Sequence, residues 1–499
     1  MKISICISGF IRTWEYTKYS FINTLCKDIK PDIFIHTYRQ NYFEFSSNRE
    51  DIFYSESDIR DMFKDFNIKG LIIEDRDDFL PLLIEQNNKY LECKNNTYSI
   101  AESSDNLSKS VLVGLRILDQ IRSIEKCFNL KTKYEQENNF KYDFVVKTRF
   151  DVLYLSSPNW NVITKKNIFT ETGGTGGYPH DHVTFGTNDD MDEYSKRYSR
   201  IDELIKIYKI DMCAHNTFRV ICEINNITIH PGIIYSVLLR NENEFHKLWE
   251  GTVHINTLTD INLKHTIIKN MFPNKVTFED DMLDIDTNKN SVIVAITSMI
   301  YLKDNYKLMS KYSPEERLNQ VINTILSVKE KIPNSIIVLL EGSNISTHEL
   351  SKVYTLVDKI ILFDSDDSKK YLYNYNKSYG EVYKLLHFAQ KIEKLSFNKF
   401  IKISGRYQLN SNFNIDNFTT DICGTFCNDG YDNECFLTVL YSVHKDTFKE
   451  YIDLFSYLKN DNIKYDIEHS MSESGIKINK IDKIGVQGYI YNSLEIVEW

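Results

Sequence analysis

Apolar and polar positions alternate so as to open the chain with a strand. "KISICIS" (2–8) is apolar up to Ser8-Gly9, and helical spacing follows to about Cys26. "DIFIHTY" (32–38) and "KGLIIED" (69–75) predict two further strands, with a helix near 56–65 between them. A long helix is predicted over 108–130, where Val111, Leu115, Leu118 and Ile121 share one face. Phe144-Val145-Val146 then opens another strand. This order predicts a parallel, doubly wound sheet, which binds ligands at the carboxyl ends of its strands. Ser8-Gly9, Glu74-Asp75 and Arg149–Asp151 all fall at such ends.

The stretch "FPNKVTFEDDMLDIDTNKN" (272–290) is acidic and has no period. The organisation it implies is a domain over 1–270, a linker over 271–290 and a second domain over 291–499. In that second half the order begins again, with strands over 291–298, 334–343 and 358–367 and helices over 314–331 and about 380–395. "KGLIIEDRDD" parallels "DKIILFDSDD", "YDFVVKTRFDVLYLSS" parallels "NKFIKISGRYQLNSN", and "DHVTFGTNDDMDEYSKRY" parallels "FLTVLYSVHKDTFKEYIDLF". The expectation is two diverged copies of one α/β unit. In this pairing Ser404-Gly405-Arg406 stands for Thr148-Arg149-Phe150, and Gln408 for Asp151.

Composition changes the picture in three places. With 499 residues the chain is too long for one typical core, in keeping with two domains. A net charge of −10 with no Lys/Arg-rich run argues against nucleic acid as a partner, so any phosphate must be met by local cations. Nine scattered cysteines, mostly in apolar runs, read as reduced thiols. Cys423, Cys427 and Cys435 lack the fourth ligand and the tight spacing of a zinc site. With no signal peptide and no apolar run of ~20 residues, the expected location is the cytoplasm, or a host's cytoplasm for a viral chain.

Candidate chemistry centres on "KTRFD" (147–151). Strand alternation would put Lys147, Arg149 and Asp151 on one face. Charges so close are expensive to bury unless paired or facing a ligand. They read as a site in which cations meet phosphate oxygens, or as an Arg149–Asp151 ion pair at a strand end. Asp75/Asp77 and Asp364/Asp366 spell Asp-x-Asp, a spacing that suits a divalent cation, but they read first as turns or helix starts.

These pieces resemble the GT-A class of nucleotide-sugar glycosyltransferases. The likeness is to polysaccharide-synthesis enzymes of low-GC bacteria and large DNA viruses. It rests on "ISGFIRTW" (7–14), "DIFIHTY" (32–38), "KTRFDVLY" (147–154) and "DHVTFGTNDDMDEY" (181–194), and less specifically on "KISGRYQLN" (402–410). It implies two tandem GT-A-like (Rossmann-like) α/β domains. It also implies sugar transfer from a nucleoside diphosphate sugar to a glycan or other hydroxyl acceptor. Ser8, Gly9, Arg12, Lys147 and, in the second copy, Arg406 would receive the nucleotide. Asp151 would bind Mn2+ or Mg2+, with Arg149 stabilising the leaving group. Arg149 stands where the class has its first Asp, and an arginine can neutralise diphosphate by itself.

The glycine-rich stretch "ETGGTGGYPHDHVTFG" (171–186) suits a lid or acceptor loop. Within it Asp181 is a candidate general base. A metal-binding His180-Asp181-His182 and an exposed turn are the alternatives. Lys377, Glu381, Arg406, Glu468 and His469 would face a cleft of the second copy. That copy is read as a silent scaffold, an acceptor-binding module or a metal-independent transferase. For the whole chain, the competing expectation is a glycan-binding or scaffold protein that has lost activity.

Overall fold

The computed structural model describes the chain except residues 28, 42–51, 96–103, 172–179, 209–213, 242–243, 248–250, 256–257, 259, 303–311, 375, 429–433, 464–465, 490–495 and 499. It divides into two compact units, Met1–Met271 and Phe272–Trp499. Each is α/β with a mostly parallel sheet flanked by helices. No helix among the described residues is long and apolar enough to cross a membrane.

Unit 1 contributes strands β1 (Ile3–Ser8), β2 (Asp32–Tyr38), β3 (Gln40–Asn41), β4 (Ile52–Phe53), β5 (Asn67–Glu74), β6 (Phe144–Thr148) and β7 (Val152–Tyr154). After these come β8 (Asn167–Glu171), β9 (Thr184–Thr187), β10 (Thr228–Ile234), β11 (Ser236–Asn241), β12 (Glu244–Lys247) and β13 (Gly251–His254). The main sheet runs β5-β2-β1-β6-β9-β8-β10, and β7 lies in a small sheet with β11, β12 and β13. From β5 to β6 all neighbours are parallel, whereas β9 is antiparallel to both β6 and β8. All six residues of β1 are buried, as a strand covered on both faces requires. The helix Ser104–Glu137 is longer than its predicted span; its Leu118, Ile121, Ile124 and Phe128 are buried.

Unit 2 contributes β14 (Val276–Phe278), β15 (Val292–Ser298), β16 (Ile336–Glu341), β17 (Lys359–Leu362), β18 (Lys399–Ser404) and β19 (Tyr407–Leu409). They are followed by β20 (Ile422–Asn428), β21 (Glu434–His444), β22 (Ile478–Lys480), β23 (Val486–Tyr489) and β24 (Ile496–Glu498). The main sheet runs β14-β17-β16-β15-β18-β21-β20-β22. Leaving out β14, this is the order of unit 1, with the same strand directions throughout. The stretch expected as a linker thus carries β14, which pairs in parallel with β17 at the sheet edge. The helix Pro314–Lys331 has a sequence-encoded start, in which Ser313 and Glu316 form a capping box and Pro314 is the first helical residue.

The registers align the two copies residue by residue. Lys147 lies between Cys6 and Thr184 on its neighbouring strands, and Lys402 lies between Ala295 and Tyr441. Each lysine Nζ donates to a backbone carbonyl three residues before its antiparallel partner, Asp181 in unit 1 and Thr438 in unit 2. Five residues after each lysine the short strand begins, at Val152 and at Tyr407. The residue opposite Asp151 is therefore Arg406, whereas Gln408 stands opposite Leu153. Apolar similarity alone pairs Gln408 with Asp151, because it tolerates a shift that hydrogen-bond register does not.

Candidate functional site at the carboxyl edge of unit 1

β1 delivers Ser8 and Gly9 to the edge. Ser8 is buried, while Gly9 has φ +113°, a conformation that favours glycine. The Gly9 N–H donates to His36 O at 3.1 Å, and Thr37 Oγ1 donates to Gly9 O at 2.8 Å. A side chain built at Gly9 would meet nothing within 4 Å, so the edge here is open.

β6 ends at Thr148, and Arg149 to Asp151 form the turn that carries the chain into β7. Lys147, Arg149 and Asp151 therefore do not share one strand face as alternation predicts. The turn is pinned from below: Thr17 Oγ1 donates to Phe150 O at 2.6 Å, and the Leu239 N–H donates to Asp151 O at 2.8 Å. Phe150 itself packs edge-on to Trp14 and Phe63. Above it, Arg149 donates to both Asp151 oxygens, at 2.8 and 2.7 Å, and Arg12 Nη1 reaches Asp151 Oδ2 at 3.3 Å. Asp151 is 1% exposed, whereas the two arginine side chains keep 18% and 24% of their surface. The carboxylate is thus an anchor that holds both guanidinium groups at this edge. A divalent cation at Asp151 does not fit, because both oxygens already accept from guanidinium and the ion would face two positive charges.

Lys147 is buried, and its ammonium is spent on the Asp181 carbonyl, so it is not open to a nucleotide. Burial lowers its pKa to about 8. Asp181 is 2% exposed; Gln120 donates to it at 2.9 Å and Arg197 lies at 3.3 Å. Burial alone would raise its pKa, but Lys147 and Arg197 hold it well below the usual carboxylate range. So weak a base, closed off from an acceptor, does not suit proton abstraction, and Asp181 is a structural counter-ion instead.

Beside it lie Glu171, His180 and His182. Glu171 ends β8, and the two histidines precede β9. His182 Nδ1 approaches Glu171 Oε1 to 2.6 Å, and the His180 ring sits 5.2 Å from that of His215. The glycines of the expected lid, 173–177, lie outside the described residues. A third polar cluster ties β2 to β5. Glu74 accepts from Arg122 at 2.6 and 3.0 Å and from His36 Nε2 at 2.9 Å, while His36 Nδ1 faces Ser123 Oγ at 2.7 Å. Burial lowers the pKa of His36.

The Asp-x-Asp pairs behave as turns: Asp75 faces Arg39 at 3.3 Å in half-exposed surroundings, and Asp366 opens a helix capped by Ser365. Glu223 makes an exposed pair with Arg219. In unit 2, Lys402 is paired with Glu381, and Glu468 accepts from Thr438. His469 Nδ1 lies 2.7 Å from Asp466. Arg317 donates to Met299 O at 2.8 and 2.6 Å, and its pKa is lowered to about 10 by burial and by Arg406. Lys377 is lowered by burial, then by Arg406 and Arg317. Arg406 thus stands in unit 2 where unit 1 carries Asp151, among Arg317 and Lys377 and the carboxylates of Glu341, Glu381 and Glu468. Cys427 and Cys435 face each other across β20 and β21 at 3.4 Å, and Cys423 donates to Thr420 O instead.

The sequence places Glu74 at a strand end but gives no sign of its partners His36 and Arg122, nor of Glu171, Arg197 or Gln120. Only the His-x-His spacing was a local signal. The others come together through strand order.

No protein-family model and no curated protein matches the chain. Among solved structures, mouse xyloside xylosyltransferase 1 in its apo form is 10% identical; the match covers 39% of this chain and 85% of that one, with a TM-score of 0.25. The apo WbbM bifunctional glycosyltransferase is 11% identical, covers 72% and 78%, and scores 0.27. Core-mannan synthase A from Aspergillus fumigatus, in its Mn/GDP form, is 8% identical, covers 42% and 79%, and scores 0.29. All three are glycosyltransferases, and at these scores the functional reading stands on the chain's own residues.

Proposed function

We propose that the carboxyl edge of unit 1 is a glycosyltransferase site that takes a nucleoside diphosphate sugar and passes the sugar to a hydroxyl of a glycan or other acceptor. The observation that carries this is the pair Arg12 and Arg149, held by one buried carboxylate beside the open backbone at Gly9. Glycine lets a diphosphate approach the end of β1, and two guanidinium groups match its oxygens. In transfer, a bond forms between the sugar C1 and the acceptor oxygen, and the bond from C1 to the diphosphate breaks. The nucleoside diphosphate and the acceptor proton leave. Charge grows on the leaving diphosphate, where Arg12 and Arg149 stand, so their contacts strengthen in the transition state. Asp151 is a positioning residue for both.

Release of nucleoside diphosphate from a panel of nucleotide sugars tests the proposal. The expected result is slow release without acceptor, faster release with glycan acceptors, and loss of both in Arg149→Met. Absence of release with every donor, and of any nucleotide-induced rise in melting temperature, would overturn it. The competing reading is a glycan-binding protein with an inactive transferase fold. That reading expects glycan binding without release from any donor.

A further inference from the structure

We infer that Glu171, His180 and His182 form a binding site for a first-row transition-metal dication, with Zn2+ the best match. The inference does not depend on the transferase reading. One carboxylate oxygen of Glu171 and one ring nitrogen of each histidine all lie within 4.8 Å of one another. Bonds of ~2.1 Å give a tetrahedral site an edge of about 3.4 Å, so no pair has to close by more than roughly 1.4 Å when an ion enters.

His180 is 8% exposed, and neither of its ring nitrogens has a hydrogen-bond partner among the described residues. A buried imidazole in that state has given up water for nothing, a penalty that a bound ion removes. Glu171 Oε1 makes no aligned hydrogen bond although His182 Nδ1 is only 2.6 Å away. At 2.6 Å the two atoms are closer than that edge, so an entering ion parts them by roughly 0.8 Å and replaces their direct contact. The other carboxylate oxygen is already oriented, accepting from the Val183 N–H at 2.8 Å and from Ser236 Oγ at 3.3 Å. Outer hydrogen bonds of this kind fix a ligating carboxylate in metal sites.

The topology explains the convergence. β8 and β9 are antiparallel neighbours with Thr170 opposite Thr184, so Glu171 and the His180–His182 pair meet at one sheet edge. Alternation along an extended chain lets residues two apart, like His180 and His182, point the same way. Two imidazoles with one carboxylate favour Zn2+ and its neighbours, whereas Mg2+ and Ca2+ prefer all-oxygen shells. Three protein ligands leave a fourth position for water or for a group of a bound ligand.

The test uses the full chain, stripped with a chelator and titrated separately with Zn2+, Co2+ and Mg2+ in the absence of nucleotide. The expected result is one tightly held equivalent of Zn2+, a higher melting temperature, and a visible Co2+ spectrum of four- or five-coordinate type that millimolar Mg2+ does not displace. His180→Gln and His182→Gln should each weaken Zn2+ binding by more than the ~10–100-fold typical of losing an outer hydrogen bond to a ligand. Asp151→Asn should bind Zn2+ like the wild type. Should a glutamine variant not fold, the wild-type Co2+ spectrum decides, and a six-coordinate spectrum overturns the site. Failure of the wild type to retain Zn2+ also overturns it, leaving Glu171 and His182 as an ion pair, as does retention unchanged in both glutamine variants. Because no nucleotide is present, these outcomes are independent of nucleoside diphosphate release, which tests the transferase reading.

Discussion

Asp151 and Arg406 occupy the same position in the two units, in the turn that leads from the main sheet into the small one, and they carry opposite charge. In unit 1 the carboxylate collects Arg12 and Arg149. In unit 2 the arginine lies near Arg317 and Lys377, with the carboxylates of Glu341, Glu381 and Glu468 around them. The charge reversal predicts that the units meet anions differently. Arg406→Ala should weaken binding of inorganic pyrophosphate to the chain in chelator, as read by calorimetry, while leaving nucleoside diphosphate release by unit 1 unchanged. Equal pyrophosphate affinity in the variant would remove unit 2 as an anion site.

Asp151→Asn keeps the volume of the side chain but not the charge that holds the arginines. Breaking a buried ion pair costs ~3–5 kcal/mol. The expected outcome is turnover reduced by at least ~100-fold, as for a lost charge contact worth about 3 kcal/mol in the transition state, with the far-ultraviolet circular dichroism intact. Wild-type turnover in the variant would move the site away from this turn.

Asp181→Asn separates a counter-ion from a base. Asp181 faces Lys147 and Arg197, both fully or nearly fully buried, so removing its charge strands two cations. The variant should unfold at lower denaturant, by the ~3–5 kcal/mol typical of a broken buried pair. A residue acting only as a base would lose activity with stability unchanged.

Glu74 gives a pH dependence with a definite sign. Burial alone would raise its pKa, but His36 and Arg122 hold it at about 2 in the folded chain. The unfolded value is about 4.3, so the cluster contributes its full stability above that pH and loses it as pH falls toward 2, up to about 3 kcal/mol in all. Against Glu74→Gln, the wild type should show a stability margin that is constant near neutrality. That margin should shrink only below about pH 4.5. A margin that changes between pH 6 and 8 would point to His36 instead.

Gly9→Ala probes the open edge. The new methyl meets no atom, so the loss of stability comes from the backbone alone, about 1–3 kcal/mol for a strained conformation. The nucleotide-induced shift in melting temperature should vanish in this variant even where the fold survives. A full shift would show that the ligand does not approach the end of β1.

The strands, the long helices and the repeat are legible along the chain because they are encoded locally. Apolar runs such as "ISICIS" and "VIVAITS" bury both faces of a central strand, and Ser313, Pro314 and Glu316 start a helix by their own hydrogen bonds. Arg149 and Asp151 are also visible, since charges that abut an apolar run at a strand end are conspicuous, whereas Arg12 is pointed to only by the family resemblance. Their roles are not visible. Whether Asp151 holds an ion or two arginines depends on Arg12, 139 positions away in sequence, and only strand order brings them together. Likewise Asp181 looks like a base until Lys147 and Arg197 are placed against it. Glu171 gains its meaning only when β8 and β9 pair. Periodicity records which residues are buried. Which partner a buried charge finds is a matter of register between strands far apart in the chain, and that is decided by the tertiary structure alone.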